Sequence, residues 1–210
     1  MKLTRKPDRG SDDRAELDAF LDSQFAGTLS AVVDGFPHVI PILYARDGDR
    51  ILLHGSTGGG AIRQAASGAP VAFCVFALDG IRVAHNGFHS GANYRSAVLT
   101  GTCELLQGDE AWAALDALTS SLIPGRASEV VAMTRKEVAQ TATLALPIVE
   151  GSWLLKAKTG PVTVDDEAGE TWMGYVPLPV VAGDPIPAVG QDPGIEVPAS
   201  VRELVRRHRP

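Results

Sequence analysis

Apolar residues return at every second position over much of the chain, broken by shorter stretches where they return at helical spacing. Ser11, Asp12 and Asp13 offer caps for a first helix, with Leu17, Phe20, Leu21 and Phe25 on one side and Arg14, Glu16, Asp18 and Asp22 on the other. Two strand-like runs follow, 28–33 and 37–44, joined by Asp34-Gly35, a dipeptide that favours a tight hairpin turn. Asp47-Gly48-Asp49 marks another turn before a strand at 50–54, and a short helical pattern covers 61–67. Strands resume at 70–78 and 81–84, with Asp79-Gly80 read as the turn between them, and a long β run spans 94–106. Trp112, Leu115, Leu118 and Leu122 predict a helix after Gly108-Asp109, and a second helix is expected over 128–140. Two more strands are expected at 143–149 and 153–158. Between 177 and 198 Pro and Gly are so frequent that the segment reads as an extended strap. A meander of at least six strands with peripheral helices and no internal repeat predicts an antiparallel barrel, not a parallel α/β sheet.

Composition narrows the classes. With 210 residues, 45% of them apolar and 21% charged, the chain is sized and balanced for one globular domain. Its formal net charge is -6, and the one basic block is the short tail 202–209, so nucleic-acid binding is not expected. Gly, Pro or charge interrupts every apolar run well before the roughly 18 residues that a membrane helix needs. The basic start, Met1 to Pro7, has no apolar stretch after it and does not read as a secretory signal. Cys74 and Cys103 sit in apolar β runs and read as buried structural thiols, which fits a reduced, cytoplasmic protein. The five histidines show no metal-ligand spacing, so no metal is expected.

Three segments carry candidate chemistry. In the first, a strand ending at His54 runs through Gly55-Ser56-Thr57-Gly58-Gly59-Gly60 into a helix that bears Arg63. Free backbone N–H groups, two hydroxyls and a guanidinium one turn on suit a phosphate; the plain alternative is a flexible turn with a helix cap. In the second, Phe88-His89-Ser90-Gly91-Ala92-Asn93-Tyr94-Arg95-Ser96 crowds polar groups at the start of a long strand. There Arg95 is either a ligand contact or half of a salt bridge at an interface. In the third, Trp172-Met173-Gly174-Tyr175 sets an aromatic beside a glycine, which can cover a flat ring or simply pack at a domain edge.

In this order and spacing the segments resemble the pyridoxamine 5′-phosphate oxidase-like flavoproteins, and in particular the flavin-nucleotide-binding branch with the nitroimidazole-resistance reductases. The resemblance runs from about 5 to 187. It rests on Gly27-Thr28-Leu29-Ser30, Asp34-Gly35-Phe36-Pro37 with Pro41, Leu53 to Gly58, Ala77-Leu78-Asp79-Gly80, Phe88-His89, Asn93 to Ser96 leading to Gly101, Lys156 to Pro161, and Trp172 to Leu178. It implies a mainly β (α+β) split β-barrel with peripheral helices, homodimeric, over 1–176, with the Pro-rich strap and basic tail 177–210 packed on the same domain. It also implies flavin mononucleotide (FMN) at the dimer interface. By the resemblance the backbone of Val39, Ile40, Pro41, Ile42 and Leu43 lies along the flavin ring. His54, Gly55, Ser56 and Thr57 line the ribityl and phosphate path, and Arg63 reaches the phosphate. Asn93, Tyr94, Arg95 and Ser96 meet the ring edge or phosphate, and Trp172 closes the site. No catalytic side chain is assigned; His54 and His89 are the candidates for proton transfer or substrate contact. Two departures stand out: relatives usually carry a basic residue where this chain has Gly60, and bulkier residues where it has Ser90-Gly91-Ala92. The function implied is an FMN-dependent oxidoreductase acting on a small molecule. The alternative is a flavin-free barrel whose pocket binds a deazaflavin, haem or a biosynthetic intermediate.

Overall fold

A computed structural model describes residues 3–164 and 169–209; Met1 and Lys2 of the basic start lie outside them. The elements run β1 (Gly10–Ser11), α1 (Arg14–Asp22), β2 (Ala26–Val33), β3 (Phe36–Asp47), β4 (Arg50–Ser56), α2 (Gly60–Ala66), β5 (Pro70–Val83), β6 (Gly91–Thr102) and β7 (Glu104–Leu106). Then follow α3 (Gly108–Leu122), α4 (Arg135–Gln140), β8 (Thr141–Pro147), β9 (Trp153–Lys158), β10 (Gly174–Pro177) and α5 (Ala199–His208).

Every strand pairing is antiparallel, in the order β1-β9-β6-β5-β2-β3-β4-β8-β7, with β10 on the far end of β5. The long β3 belongs to both halves: Phe36 to Leu43 pair with β2, and Tyr44 to Asp47 pair with β4. That shared strand splits the barrel. Side chains alternate between its two faces. Leu29, Tyr44, Leu53, Phe73, Leu99 and Leu144 point inward and are sealed from solvent. A second core forms outside the barrel, where Ala45, Leu52 and Ala145 meet Leu115 and Leu118 of α3 and Val138 of α4.

Local caps fix the helices. The Asp13 carboxylate accepts the Ala15 N–H at 2.7 Å at the start of α1. Thr134 and Glu137 form a reciprocal capping box at the start of α4. The turn at Asp34-Gly35 has φ of 50° and 82°, the left-handed pair that a tight hairpin turn needs.

Three expectations change, and the tail gains a structure the sequence reading had not assigned. Asp79-Gly80 is not a turn but an irregularity inside one continuous strand, β5, because β6 and β10 pair on through it. The run 94–106 breaks at Cys103, which lets β7 leave β5 and pair with β8. The helix expected over 128–140 begins only at Arg135, where the capping box sits. The basic tail is itself helical, α5, anchored where Glu129 accepts the Ser200 N–H at 3.0 Å. No helix among the described residues is long and apolar enough to cross a membrane.

Both cysteines are free. Cys103 is buried, and desolvation pushes its thiol up to about 11. Cys74 is only half-buried: it opposes Thr28 and Val98 on the outer face of the sheet, and burial raises its thiol too. Both are therefore protonated and poorly nucleophilic at neutral pH.

Candidate cofactor site

Strand parity decides which sequence-predicted residues share a surface. On β3, Ile40 and Ile42 pack against the barrel core, so Val39, Pro41 and Leu43 face out. Their neighbours on that outer face are Thr28 and Ser30 of β2, and beyond them Ala72 and Cys74 of β5. Further along β5, Phe76 and Leu78 also face out; Phe76 stacks on Tyr94 of β6 with ring centroids 6.2 Å apart. Val39, Leu43 and Phe76 are 59%, 45% and 57% exposed, an apolar sheet face left open.

The same face continues onto β4, where Leu52, His54 and Ser56 alternate with core-facing Ile51 and Leu53. His54 enters a cleft of about 430 Å³ between Leu43 and the helices α3 and α4, with Leu115, Leu118 and Met133 on its walls. Its Nδ1 is buried without a hydrogen-bond partner, and so is Oγ1 of Thr143, the residue opposite it on β8. Leaving such an atom unpaired costs on the order of 1–3 kcal/mol, which marks this corner as one shaped for something besides folding.

Past His54 the chain turns into α2. Gly55 is closely packed there: a Cβ would stand 3.0 Å from the Ile62 side chain, which would have to give way. The Ser56 hydroxyl accepts the Gly58 N–H at 3.3 Å, and no side chain caps α2. Arg63 is exposed and has no ion pair among the described residues. Gly60 is not confined: its Cβ would lie 3.7 Å from Val33, an ordinary contact. A basic residue therefore has room at the position where the resemblance led one to be expected. If a flavin phosphate lies at this turn, as the sequence resemblance implies, Gly60→Lys is expected to tighten flavin binding by about tenfold or more, since a hydrogen bond to a charged group is worth roughly 1.5–3 kcal/mol. A flavin titration followed by fluorescence quenching checks it.

The second segment divides. Tyr94 and Ser96 face outward, while Asn93 and Arg95 point inward and are bonded within the chain. Asn93, 3% exposed, donates to Gly160 O at 2.9 Å and accepts from Arg82 at 3.0 Å. Arg95 makes a two-pronged pair with Asp79, Nε–Oδ2 3.0 Å and Nη2–Oδ1 2.7 Å, and lies 5.3 Å above the Phe20 ring. Its hydrogen bonds to Asp79 raise the guanidinium further above its ordinary value. The irregularity in β5 is what turns Asp79 toward it.

His89 lies in the β5–β6 connection, its Nδ1 3.4 Å from His85 Nε2, and lines neither the His54 cleft nor the cavity at Arg63. Trp172 precedes β10, is 66% exposed and folds over Gly174, where a Cβ would meet its ring at 2.9 Å. Among the described residues no three His, Cys, Asp or Glu side chains gather as a metal site. Residue-by-residue reading missed Met133 and Thr143 at this site. Alternation along β3 pointed to Leu43, whereas Met133 and Thr143 arrive only through the β8 register and the α3–α4 connection.

No curated protein sequence matches the chain significantly. Among solved structures, the FAD and Heme binding protein from Mycobacterium smegmatis is 43% identical, with a TM-score of 0.90 over 93% of this chain and 97% of that one. The flavocytochrome Anf3 from Azotobacter vinelandii is 27% identical, with a TM-score of 0.87 over 99% of this chain and 95% of that one. A Bacteroides thetaiotaomicron protein assigned to 5-nitroimidazole antibiotic resistance shares the fold at 17% identity, with a TM-score of 0.58 over 70% of this chain and 85% of that one. The profile of the pyridoxamine 5′-phosphate oxidase family matches residues 13–153, which span β2 to β8 and every outward-facing residue described above except Trp172, and with that match the chain belongs to this family of split barrels.

Proposed function

We propose that the chain is a flavin-dependent oxidoreductase acting on a small molecule, with the FMN portion of its cofactor held between two copies of the chain. The observation that carries this reading is one continuous outer path. Apolar Val39, Pro41 and Leu43 lead to His54 and Ser56, and these lead to Thr57 and the unpaired Arg63. A flavin needs those surroundings in that order: an apolar wall for the ring, polar groups along the ribityl chain and a cation at the phosphate. When bound, the flavin supplies redox chemistry that no side chain here provides. The chain supplies the rest. The β3 backbone, with Gly55 behind, fixes the plane of the site, Tyr94 and Ser96 extend its wall, and Trp172 stands at its edge. Arg95 and Asn93 act from behind the wall, by locking β5 and β6 in register. The descriptions of the M. smegmatis and A. vinelandii proteins, which name a flavin or a flavocytochrome, support the reading.

Protein incubated with FMN and freed of excess is expected to keep about one flavin per chain, seen as its visible bands. Arg63→Ala is expected to lose tenfold or more in affinity, the worth of a charge-assisted hydrogen bond of about 1.5–3 kcal/mol. A colourless protein, or equal affinity in the variant, sinks the reading or its phosphate end respectively.

A second reading rests on the His54 cleft. With Nδ1 walled in, Nε2 is the ring nitrogen left to meet a ligand among Leu115, Leu118 and Met133. An apolar cleft with one imidazole suits haem, which both of those structural relatives carry by description. His54→Ala is then expected to lose a Soret band that the parent shows after incubation with haem; a wild-type chain that takes up no haem removes this reading alone.

A further inference from the structure

The helix α5 ties together two parts of the molecule that line the cleft at His54 from different sides. One wall of that cleft is Leu43 of β3; the other includes Ile123 and Met133, near the two ends of the α3–α4 connection, 123–134. We propose that α5 is a latch on this cleft: its contact with Glu129 holds the α3–α4 connection in place, and a ligand gains free access to His54 when that contact opens. The device concerns access alone and does not depend on which ligand the cleft takes.

At its start α5 has no side-chain cap of its own. Glu129 supplies one from 71 residues away: Oε1 accepts the Ser200 N–H at 3.0 Å, and Oε2 accepts the Ser200 hydroxyl. A carboxylate there satisfies a free N–H and meets the positive end of the helix dipole. Ser200 is the one buried residue of α5, 3% exposed. The two Ser200 bonds, with Arg126 at 3.4 Å behind them, hold the Glu129 carboxyl below the ordinary carboxylate range, so it is charged at neutral pH. The connection has little else to fix it. Among the described residues its other hydrogen bonds stay within it or run to α3 and α4 beside it. Val130 and Val131 are 42% and 95% exposed, and Met133 is the residue of the connection that packs on the second core. A segment with so few buried contacts opens locally at low cost.

The other end of α5 is fixed to the barrel. The His208 ring meets Phe25 edge-on, with centroids 4.7 Å apart, and the His208 carbonyl accepts the Ala182 N–H at 2.9 Å. Phe25 immediately precedes β2, and its carbonyl accepts the N–H of Tyr44, the neighbour of Leu43, at 3.2 Å. The ten residues of α5, about 15 Å at 1.5 Å per residue, therefore link the wall at Leu43 to the wall that holds Ile123 and Met133. While both ends hold, the brace fixes the separation of the two walls. The Glu129 end is the one that opens, because it hangs on a single carboxylate, whereas the barrel end combines a ring contact with a backbone bond.

The test needs no cofactor. Hydrogen exchange read by mass spectrometry compares the full-length parent with Glu129→Ala and Ser200→Ala. Labelling by diethyl pyrocarbonate reads access to His54, with the exposed His38 as internal control. In both variants the amides of 123–134 are expected to exchange about tenfold faster or more, the scale of losing hydrogen bonds to a charged group, while β5 and β6 exchange as in the parent. His54 labelling is expected to rise severalfold and His38 labelling to stay constant. Glu129 lies at the surface, so its variant remains informative where Ser200→Ala, at a buried position, impairs folding. Exchange in 123–134 equal to the parent's overturns the latch. So does faster exchange with unchanged His54 labelling, which leaves the contact as a structural tie, and so does faster exchange spread over β5 and β6 as well, which marks a general loss of stability. None of these outcomes bears on the flavin reading.

Discussion

Gly27→Ala is expected to cost the fold about 3 kcal/mol, the upper part of the range for forcing extra volume into a packed core. Gly27 faces the barrel interior on β2, and a Cβ there would stand 2.3 Å from Cζ and 2.7 Å from Cε2 of Phe73, with Cys74 O at 3.0 Å. The ring cannot swing aside. Phe73 is fully buried and meets Tyr44 edge-on at 5.2 Å, and the Tyr44 hydroxyl donates to Leu21 O at 2.6 Å, tying that ring to the end of α1. The clash therefore moves strands, not a rotamer. Urea denaturation at fixed protein concentration reads the loss, and the melting temperature falls by about 6–12 °C for a chain of this size. Phe73→Leu alone leaves a cavity and also destabilises. Combined with Gly27→Ala, the smaller side chain makes room for the new methyl, so the double variant loses less than the sum of the two singles. A Gly27→Ala protein within 0.5 kcal/mol of the parent, or strict additivity in the pair, refutes the packing account.

Gly27 also shows why much of the fold is legible before any coordinates. Its motif, the Asp34-Gly35 turn and the alternation along β2 and β4 are local signals, and local signals here agree with the tertiary structure. Where the reading failed, a distant partner decided. Asp79-Gly80 has turn chemistry, yet β6 and β10 hold both sides of it in register, and β10 approaches so closely that a Cβ on Gly80 would lie 2.6 Å from Val176 O. The helix of the basic tail had no local signal to announce its anchor, because Glu129 and Ser200 are 71 residues apart. Likewise Arg95 stood out as a charged residue in a core-like strand. Only the irregularity in β5 shows that its carboxylate partner is Asp79. The candidate site was readable where it follows strand parity, at Val39, Pro41 and His54. It was opaque where helices are laid over the sheet, as with Leu115 and Met133.

If the chain forms the flavin-holding dimer proposed above, Phe76→Arg is expected to convert that dimer to a monomer and to release its flavin. The open outer face places Val39 and Leu43 of β3 and Phe76 and Leu78 of β5 on one side of the sheet, and Phe76, 57% exposed, stacks on Tyr94 near its middle. Water touches this face in a single copy of the chain; under the proposal a second copy related by a two-fold axis would bury the same residues from both sides. Stable dimers of this kind remove roughly 1,200–2,000 Å² from solvent, and fully buried aromatics carry much of their affinity. Two-fold symmetry makes one substitution act twice. It brings two guanidiniums into an apolar interface where the described neighbours Leu78, Ser96 and Tyr94 offer no carboxylate, at a cost of several kcal/mol for each desolvated charge. The position is on the surface of the single chain, so the far-ultraviolet circular dichroism is expected to match the parent. Sedimentation at micromolar concentration is expected to give twice the chain mass for the parent and the chain mass for Phe76→Arg, with visible flavin lost in step. A parent that sediments as a monomer, or a variant that remains a dimer, removes the second copy from this face. A monomeric variant that keeps its flavin at full affinity separates the cofactor site from the interface and returns the whole of it to one chain, to β3, His54 and Arg63.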